Sequence, residues 1–510
     1  MNKLKLAILA LFACGNTAVW AGGLLTNTNQ NVAFNRMMSR EASIGIDGVY
    51  YNPAGVAFMN DGHHLSLNWQ LAYQTRTIKN DFALFRNNTN DPTTPREFKG
   101  KAFAPVIPSL QYAYNKNRWS WQVNFALTGG GGKCTFDNGL GSFEKIVAET
   151  AIGACGLAQA VDGTIGAMAG APDYKKFSSD NMLGTDGKYS YNSYMHGRQY
   201  YYGLQLGAAY RINSNLSFAL GVRGVYALCS YYGYVKDIKV GNLPLYQMID
   251  PLKEESANIE LSCDQSGVGF TPIIGVDYKT GRFNFSAKYE FKTRIRLKNK
   301  SVNQAPSISY LPARLMELGV PQEVLASPTV TGALTSLKSQ FDKKLDEAIG
   351  EYEDGKNIAG DIPAYLTLGA GYKPIDALRI NVGFHWFDDK NATSYNNRNK
   401  KLNRGTIEVN AGAEYDLNKK VTVSAGWQNT NYGLTEEYMD DKSFVVSSNS
   451  IAVGGVYHIN KKMDLNVAYF HTFYNHMKAT TTEQLTSTID YKADFTRNNN
   501  VFAVGLDINF

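Results

Sequence analysis

Beyond Ala21 the chain has no apolar run near the ~20 residues a membrane-spanning helix needs, which excludes the inner membrane as its final home. Proline is sparse at 15 residues, and charged residues make up only 19% of the chain, less than a soluble protein of this size usually carries. Basic residues exceed acidic ones only slightly, 51 against 45, and are scattered, so no nucleic-acid partner is expected. No C-x-x-C or Cys/His spacing supports zinc, and no nucleotide-binding loop is present. The 7 histidines are dispersed, and His63-His64 has no partnered serine motif. The expectation is therefore of no catalytic residues, no metal and no cofactor, and not of an enzyme. What the N-terminus does hold is an export signal. Lys3 and Lys5 precede an apolar run from Leu4 to Ala13, and Ala18-Val19-Trp20-Ala21 offers a cleavage site, so residues 1–21 read as a signal peptide. Lipoprotein processing at Cys14 is the alternative, and the bulk of Phe12 speaks against it.

The mature chain is rich in Tyr (32), Phe (25) and Gly (47), arranged in short alternating segments. Trp119, Trp121, Val123, Phe125 and Leu127 share one face, with Ser120, Gln122, Asn124 and Ala126 on the other. Leu378 to Trp386 and Phe502 to Phe510 repeat the pattern. A soluble sandwich also alternates. Aromatic residues at the strand ends and a terminal Phe510 favour instead an all-β transmembrane antiparallel barrel. Outer-membrane assembly machinery reads that kind of ending, which makes it an expected partner during biogenesis. Fourteen segments are expected, at 65–76, 104–115, 118–128, 200–212, 215–229, 263–279, 282–297, 362–374, 377–390, 404–416, 420–432, 447–459, 463–477 and 499–510. Their lengths suit the ~9–11 residues of a tilted crossing strand. Short polar turns, such as Asn115-Lys116-Asn117 and Lys279-Thr280-Gly281, alternate with long connections, so the turns are periplasmic and the loops external. An even count leaves both termini in the periplasm.

The predicted organisation is a signal peptide over 1–21, a hatch over 22–62 and a barrel over 63–510, with outer loops 129–199 and 298–361 partly helical. Gly141 to Gly170 is rich in Ala, Ile and Leu, and Leu334, Leu337, Phe341, Leu345 and Ile349 follow helical spacing. Such helices either cap the barrel or offer a greasy docking surface, and the two are compatible. Four cysteines remain after processing, and an even number in an exported chain favours disulfides. Local pairs Cys134–Cys155 and Cys229–Cys263 are expected. The segment over 22–62 does not alternate. Since barrel diameter grows with strand number, an unplugged fourteen-stranded lumen would leak, and this segment is the expected plug.

Ala42-Ser43-Ile44-Gly45 through Tyr51-Asn52-Pro53-Ala54-Gly55 resembles the hatch of the FadL/TodX family of outer-membrane transporters of long-chain fatty acids and hydrophobic compounds. Gly203 to Ile212, Leu216 to Tyr226 and Ile362 to Tyr372 extend the resemblance into both halves of the barrel. It implies a hatch motif at Asn52, Pro53 and Ala54, capture of a hydrophobic small molecule among the outer loops, a lumenal pocket and a small hatch movement. It also implies sideways release where the third strand is kinked. Here that strand runs into Gly129, Gly130, Gly131 and Gly132, which form a lateral gate in one reading and the start of a flexible loop in the other. A fatty acid needs a counter-charge. By parity Arg223, Lys288, Lys292, Arg294 and Arg379 face the lumen, either for a ligand carboxylate or as a salt-bridge ladder with Glu290. The family's basic residue after the fifth-strand Val-Tyr-Ala stretch is replaced by Ala227-Leu228-Cys229, which leaves an uncharged cargo open. The expected surroundings are outer-membrane lipid and lipopolysaccharide of a Gram-negative bacterium. A general diffusion porin and a surface adhesin are the alternative functions.

Overall fold

A computed structural model describes residues 25–26, 29–484 and 488–510; the expected signal peptide over 1–21 and Cys14 lie outside the described residues. Fourteen antiparallel strands form one closed sheet. They are β1 (Gly62–Asn80), β2 (Arg96–Lys116), β3 (Trp119–Phe136), β4 (Tyr189–Arg211), β5 (Leu216–Val240), β6 (Ile259–Thr280) and β7 (Phe283–Glu290, resuming at Arg296–Ser301). There follow β8 (Asn357–Ala359, then Tyr365–Ile375), β9 (Leu378–Phe387), β10 (Ile407–Asn418), β11 (Val421–Asn431), β12 (Ser448–Asn460), β13 (Met463–Tyr474, then Met477–Gln484) and β14 (Thr488–Asn509). Each overlaps one of the fourteen segments expected from alternation. The helices are α1 (Val32–Arg36), α2 (Gly48–Tyr51), α3 (Gly141–Ala169), α4 (Leu311–Glu317), α5 (Gln322–Leu325) and α6 (Pro328–Ile349). None of the described helices is long and apolar enough to cross a membrane; the strands do so.

Alternation is the reason the sheet closes into a cylinder with two different faces. On β1, Ser66, Asn68, Gln70 and Gln74 point inward and are buried, while Leu67, Trp69 and Tyr73 point outward and are 41–43% exposed. Trp119, Trp121, Phe218, Phe270, Phe283, Trp427 and Phe502 join that outward face. So much exposed apolar surface far exceeds what a soluble monomer shows, and lipid is the solvent that accepts it. Closure runs through β1 and β14, in register from His64↔Asn509 to Asn80↔Ala493. Phe510 completes it. His63 N–H donates to the Phe510 carbonyl (2.7 Å), Phe510 N–H donates back (2.9 Å), and the two rings stack at 5.4 Å.

Several strands are much longer than a bilayer crossing, up to 25 residues in β5, so the wall continues above the membrane. α3 and α6 pack against each other on the outer side, with Phe143, Ile146, Leu157, Leu337 and Phe341 buried.

Two expectations are corrected. The four cysteines are free and buried. Cys134 on β3 is registered with Ala102, whereas Cys155 sits within α3 with its thiol on the Leu183 carbonyl. Cys229 pairs in register with Gln265, and Cys263 with Tyr231. The two cysteines are therefore diagonal neighbours, about 7–8 Å between Cα atoms, beyond the usual ~4.4–6.8 Å of a disulfide. Nor do Lys292 and Arg294 face the lumen. β7 is interrupted between Glu290 and Arg296, and the inward positions shift from even to odd, to Thr293 and Ile295. That shift leaves Arg294 exposed and Lys292 half-exposed, the latter donating to the Asn391 carbonyl (3.1 Å).

Candidate functional site

The segment from Asn29 to Asp61 lies inside the barrel, with nearly every residue from Gln30 to Ala57 buried. The Asn52-Pro53-Ala54 turn shows how it is held. Asn52 Oδ1 accepts from Gly55 N–H (3.1 Å), closing the turn, while its Nδ2 donates to Asp277 Oδ2 on β6 (2.5 Å). Gln122 Nε2 on β3 donates to the Pro53 carbonyl (2.8 Å) and Ser217 Oγ on β5 to the Ala54 carbonyl (2.7 Å). The three residues thus present one side chain and two carbonyls to three different strands. Further along, Asn31 donates to Ser66 Oγ (3.0 Å) and Gln111 Oε1 (2.8 Å), Gln205 donates to the Val49 carbonyl (2.8 Å), and Asn284 to the Ala42 carbonyl (2.9 Å). These inward polar residues of the strands therefore face a polypeptide, which takes up their hydrogen bonds.

Charges fix the plug at two heights. Near the periplasm, Glu414 on β10 takes Arg36, Arg40 (3.1 Å) and Arg379 (3.2 Å), and Arg379 also pairs with Asp416 (2.6 Å). Deeper in, Glu290 binds Arg223 through both oxygens (2.7 and 3.0 Å) and Lys288 (2.7 Å). Lys288 also donates to the Tyr50 carbonyl (2.8 Å), and Arg223 lies 5.0 Å from the Tyr50 ring. Arg223 and Lys288 are thus engaged by Glu290 and the plug, and Arg379 sits at the periplasmic mouth. His385 on β9 bridges Glu41 of the plug (2.6 Å) and Glu408 on β10 (2.8 Å), a link unforeseen from the sequence.

Two seams of the wall are broken: β6 and β7 form no ladder pair between Ser266↔Lys298 and Ile273↔Glu290, and β2 and β3 leave a second gap. β2 and β3 pair from Lys116↔Trp119 up to Ser109↔Ala126 and again at Ala102↔Cys134, but no ladder pair is formed between. Pro105 and Pro108 lie in this stretch of β2 and have no N–H to give a ladder. On the other side, the register of β3 against β4 shifts twice, between Leu127 and Gly129 and between Gly130 and Gly132. The four glycines are thus within a strand rather than opening a loop. Gly130 has a φ of 75°, and a Cβ there would lie 2.2 Å from the Gln199 carbonyl oxygen. β1 gives the height of the gap. Pro108 is in register with Trp69 and Phe103 with Tyr73, so it lies level with the exposed, outward aromatic residues of β1. From inside, Gln30 of the plug donates to the Leu127 carbonyl.

Above the plug, one buried apolar cluster runs without interruption from Phe34, Tyr50 and Tyr51 past Ala104, Tyr201, Val225 and Ala227 to Phe82, Phe85 and the α3–α6 interface. Within the same lumen, Arg76 on β1 and Arg497 on β14 are directly in register and only 2% and 5% exposed. Arg76 lies 5.5 Å from the Phe444 ring and Arg497 5.0 Å from that of Tyr474. Neither arginine was anticipated, although both continue the inward parity of their strands.

Outside, Thr150, Ala154 and Leu157 of α3, Leu311 of α4, and Leu337 and Phe341 of α6 line a shallow apolar cleft. Beside it an ion network ties the loops together. Lys344 binds Glu483 (2.6 Å) and lies 3.8 Å from Glu149, and Lys145 holds Glu483 and the Tyr491 hydroxyl (2.7 Å). Burial pushes the Glu149 carboxyl up to about 7, against the pull of Lys344 and Lys145. An acid whose pKa is raised by packing binds its proton more tightly when packed. The α3–α6 contact should therefore lose stability as pH rises from about 4.5 through 7, by at most about 3 kcal/mol. Protection of α3 amides, relative to their intrinsic base-catalysed exchange rate, should be lower at pH 8 than at pH 5.5, and Glu149→Gln should flatten the difference. A profile unchanged in that variant would remove Glu149 as the cause.

The profile described as "Outer membrane protein transport protein (OMPP1/FadL/TodX)" matches residues 199–510. Among solved structures, the TodX monoaromatic hydrocarbon channel deltaS2S3 mutant superposes with a TM-score of 0.53 at 14% identity, covering 94% of this chain and 99% of that one. The deltaS2 mutant of the same channel gives 0.52 at 13%, covering 95% and 99%. Identities this low speak to the fold alone. No curated protein gives a significant match. The fold, the lipid-facing surface and the profile over most of the barrel agree: the chain belongs to the OmpP1/FadL/TodX family of outer-membrane transport proteins of Gram-negative bacteria.

Proposed function

We propose that this chain is a passive uptake channel for hydrophobic compounds, entered at the outer loops and left sideways between β2 and β3. The continuous apolar cluster from the outer helices to the plug carries this reading. A general diffusion porin needs a wet, open lumen, whereas here the inward polar residues are taken up by the plug. The α3–α6 cleft is the capture site. From there an apolar solute moves along surfaces of like polarity, and the gap lets it reach lipid without crossing water. Relatives of similar fold are monoaromatic hydrocarbon channels by name, which fits an apolar cargo.

The finer reading concerns the cargo's head. Arg76 and Arg497 share the Gln74 Oε1 acceptor (3.4 and 2.6 Å), and two adjacent guanidiniums form charge-assisted hydrogen bonds with a carboxylate brought beside them. Arg76 and Arg497 are accordingly the seat for an amphipathic anion such as a long-chain fatty acid, in place of Arg223, Lys288, Lys292 and Arg379. The test is uptake of labelled oleate against labelled toluene in cells carrying Arg76→Gln with Arg497→Gln. Oleate uptake should fall about tenfold or more, given ~1.5–3 kcal/mol for each lost bond to charge, with toluene little changed. Equal loss of both probes would assign the arginines to barrel structure alone.

A further inference from the structure

A basic patch sits on the outer surface immediately above the β2–β3 gap. Lys99 and Lys101 on β2 alternate outward with Phe103 and are exposed. Lys133 on β3 and Arg198 on β4 are half-exposed on the same outward face and are direct register partners. Lys101 is registered with Thr135, two residues beyond Lys133, and Thr135 with His196. Directly opposed residues have Cβ atoms about 5 Å apart and diagonal ones about 7–8 Å. Lys101, Lys133 and Arg198 thus cluster within the span of one phosphate and its hydrogen bonds. No ion pair joins Lys99, Lys101, Lys133 or Arg198 to an acid among the described residues. The neighbouring acids are engaged elsewhere or remote: Glu97 is 3.6 Å from Lys79, and Asp264, two strands away from Arg198, is registered with Lys300.

Like charges directly opposite each other destabilise a sheet, so Lys133 and Arg198 need a shared anion. Their height identifies it. Lys133 lies at the upper end of the unpaired stretch of β3, with Phe103 and Tyr73 marking the membrane boundary beside it and the stacked Tyr200 and Tyr202 rings just below Arg198. Anionic groups fixed at this level, at the junction of apolar band and water, are those of lipid headgroups. We propose that Lys101, Lys133 and Arg198 bind the phosphate of a phosphorylated outer-leaflet lipid, seated over the gap, with Lys99 adding charge from the row above. Two cations in register on β3 and β4 and a third on the diagonal on β2 grip one phosphate from three strands, at the upper edge of the unpaired stretch. The lipid thereby bridges the top of the gap, and its acyl chains lie against Phe103 and Val106. The site does not depend on which cargo the lumen carries.

The test uses the full mature chain in detergent, with native mass spectrometry of bound lipid and three probes: diphosphorylated lipid A, the same lipid stripped of its phosphates, and inorganic phosphate as competitor. The phosphorylated lipid should bind about tenfold or more tightly than the stripped one, and Lys101→Gln, Lys133→Gln and Arg198→Gln together should abolish that preference. Millimolar inorganic phosphate should displace it only weakly. Since the triple variant could also misfold, heat-modifiable migration must show an intact barrel, and Lys133→Gln alone should give an intermediate loss. Equal binding of both lipids, retention of the preference in the triple variant, or displacement by phosphate as readily as by lipid A overturns the proposal.

Discussion

Deleting residues 22–60 should convert a barrel of low conductance into an open pore, with single-channel conductance in planar bilayers rising roughly tenfold or more. The lumen of fourteen strands is too wide for wall side chains to fill, and the segment that fills it is bonded to β1 through β7 and to β9, β10 and β13. Those bonds also limit how the plug can work. Ten or so contacts at about 1 kcal/mol net each cannot all be broken by a solute that binds at micromolar strength, about −8 kcal/mol. A local shift of the plug, which breaks few of these bonds, is therefore favoured over its ejection as a transport step. Gln30 is the natural place for it, since it is the plug's hydrogen bond to the unpaired part of β3. Conductance unchanged by the deletion would mean that the outer loops, not the plug, seal the barrel.

Gly129→Val should lower uptake of a hydrophobic probe by about tenfold while leaving barrel assembly intact. Gly129 is the informative position. Gly130 and Gly132 hold φ of 75° and 156°, and side chains there would strain the backbone whatever the gap does. Gly129, paired with Tyr201, does not have a positive φ, so a β-branched residue fits its backbone, and it lies in the part of β3 unpaired with β2. Heat-modifiable migration checks assembly, and uptake by cells checks transport. Normal uptake with a well-formed barrel would return the glycines to a purely structural role.

Much of this was legible because a lipid-facing barrel writes its two faces into every strand. Alternation gave fourteen strands with their order and sidedness, and the helical spacings of Gly141 to Gly170 and Leu334 to Ile349 appear as α3 and α6. Parity failed where strands are irregular. The break after Glu290 moved Lys292 and Arg294 out of the lumen, and no periodic signal marks such a break in advance. Proximity in the chain misled for the cysteines, since Cys229 and Cys263 come close in space but two residues out of register. Arg497 falls outside the expected last segment, 499–510, because β14 continues above a bilayer-length crossing and keeps its inward parity there; Arg76 lies within the first segment, and only the β1–β14 register brings the two together. The opening between β2 and β3 needed both partners' registers. Only Pro105 and Pro108, beside four glycines in the next strand, hinted at it.

The most direct test of the central claim is the rate at which labelled oleate and labelled toluene enter cells with and without this protein, at equal outer-membrane integrity. The account predicts faster entry of at least one of the two when the protein is present, reduced by Gly129→Val. Equal rates with and without the protein for both probes would contradict it.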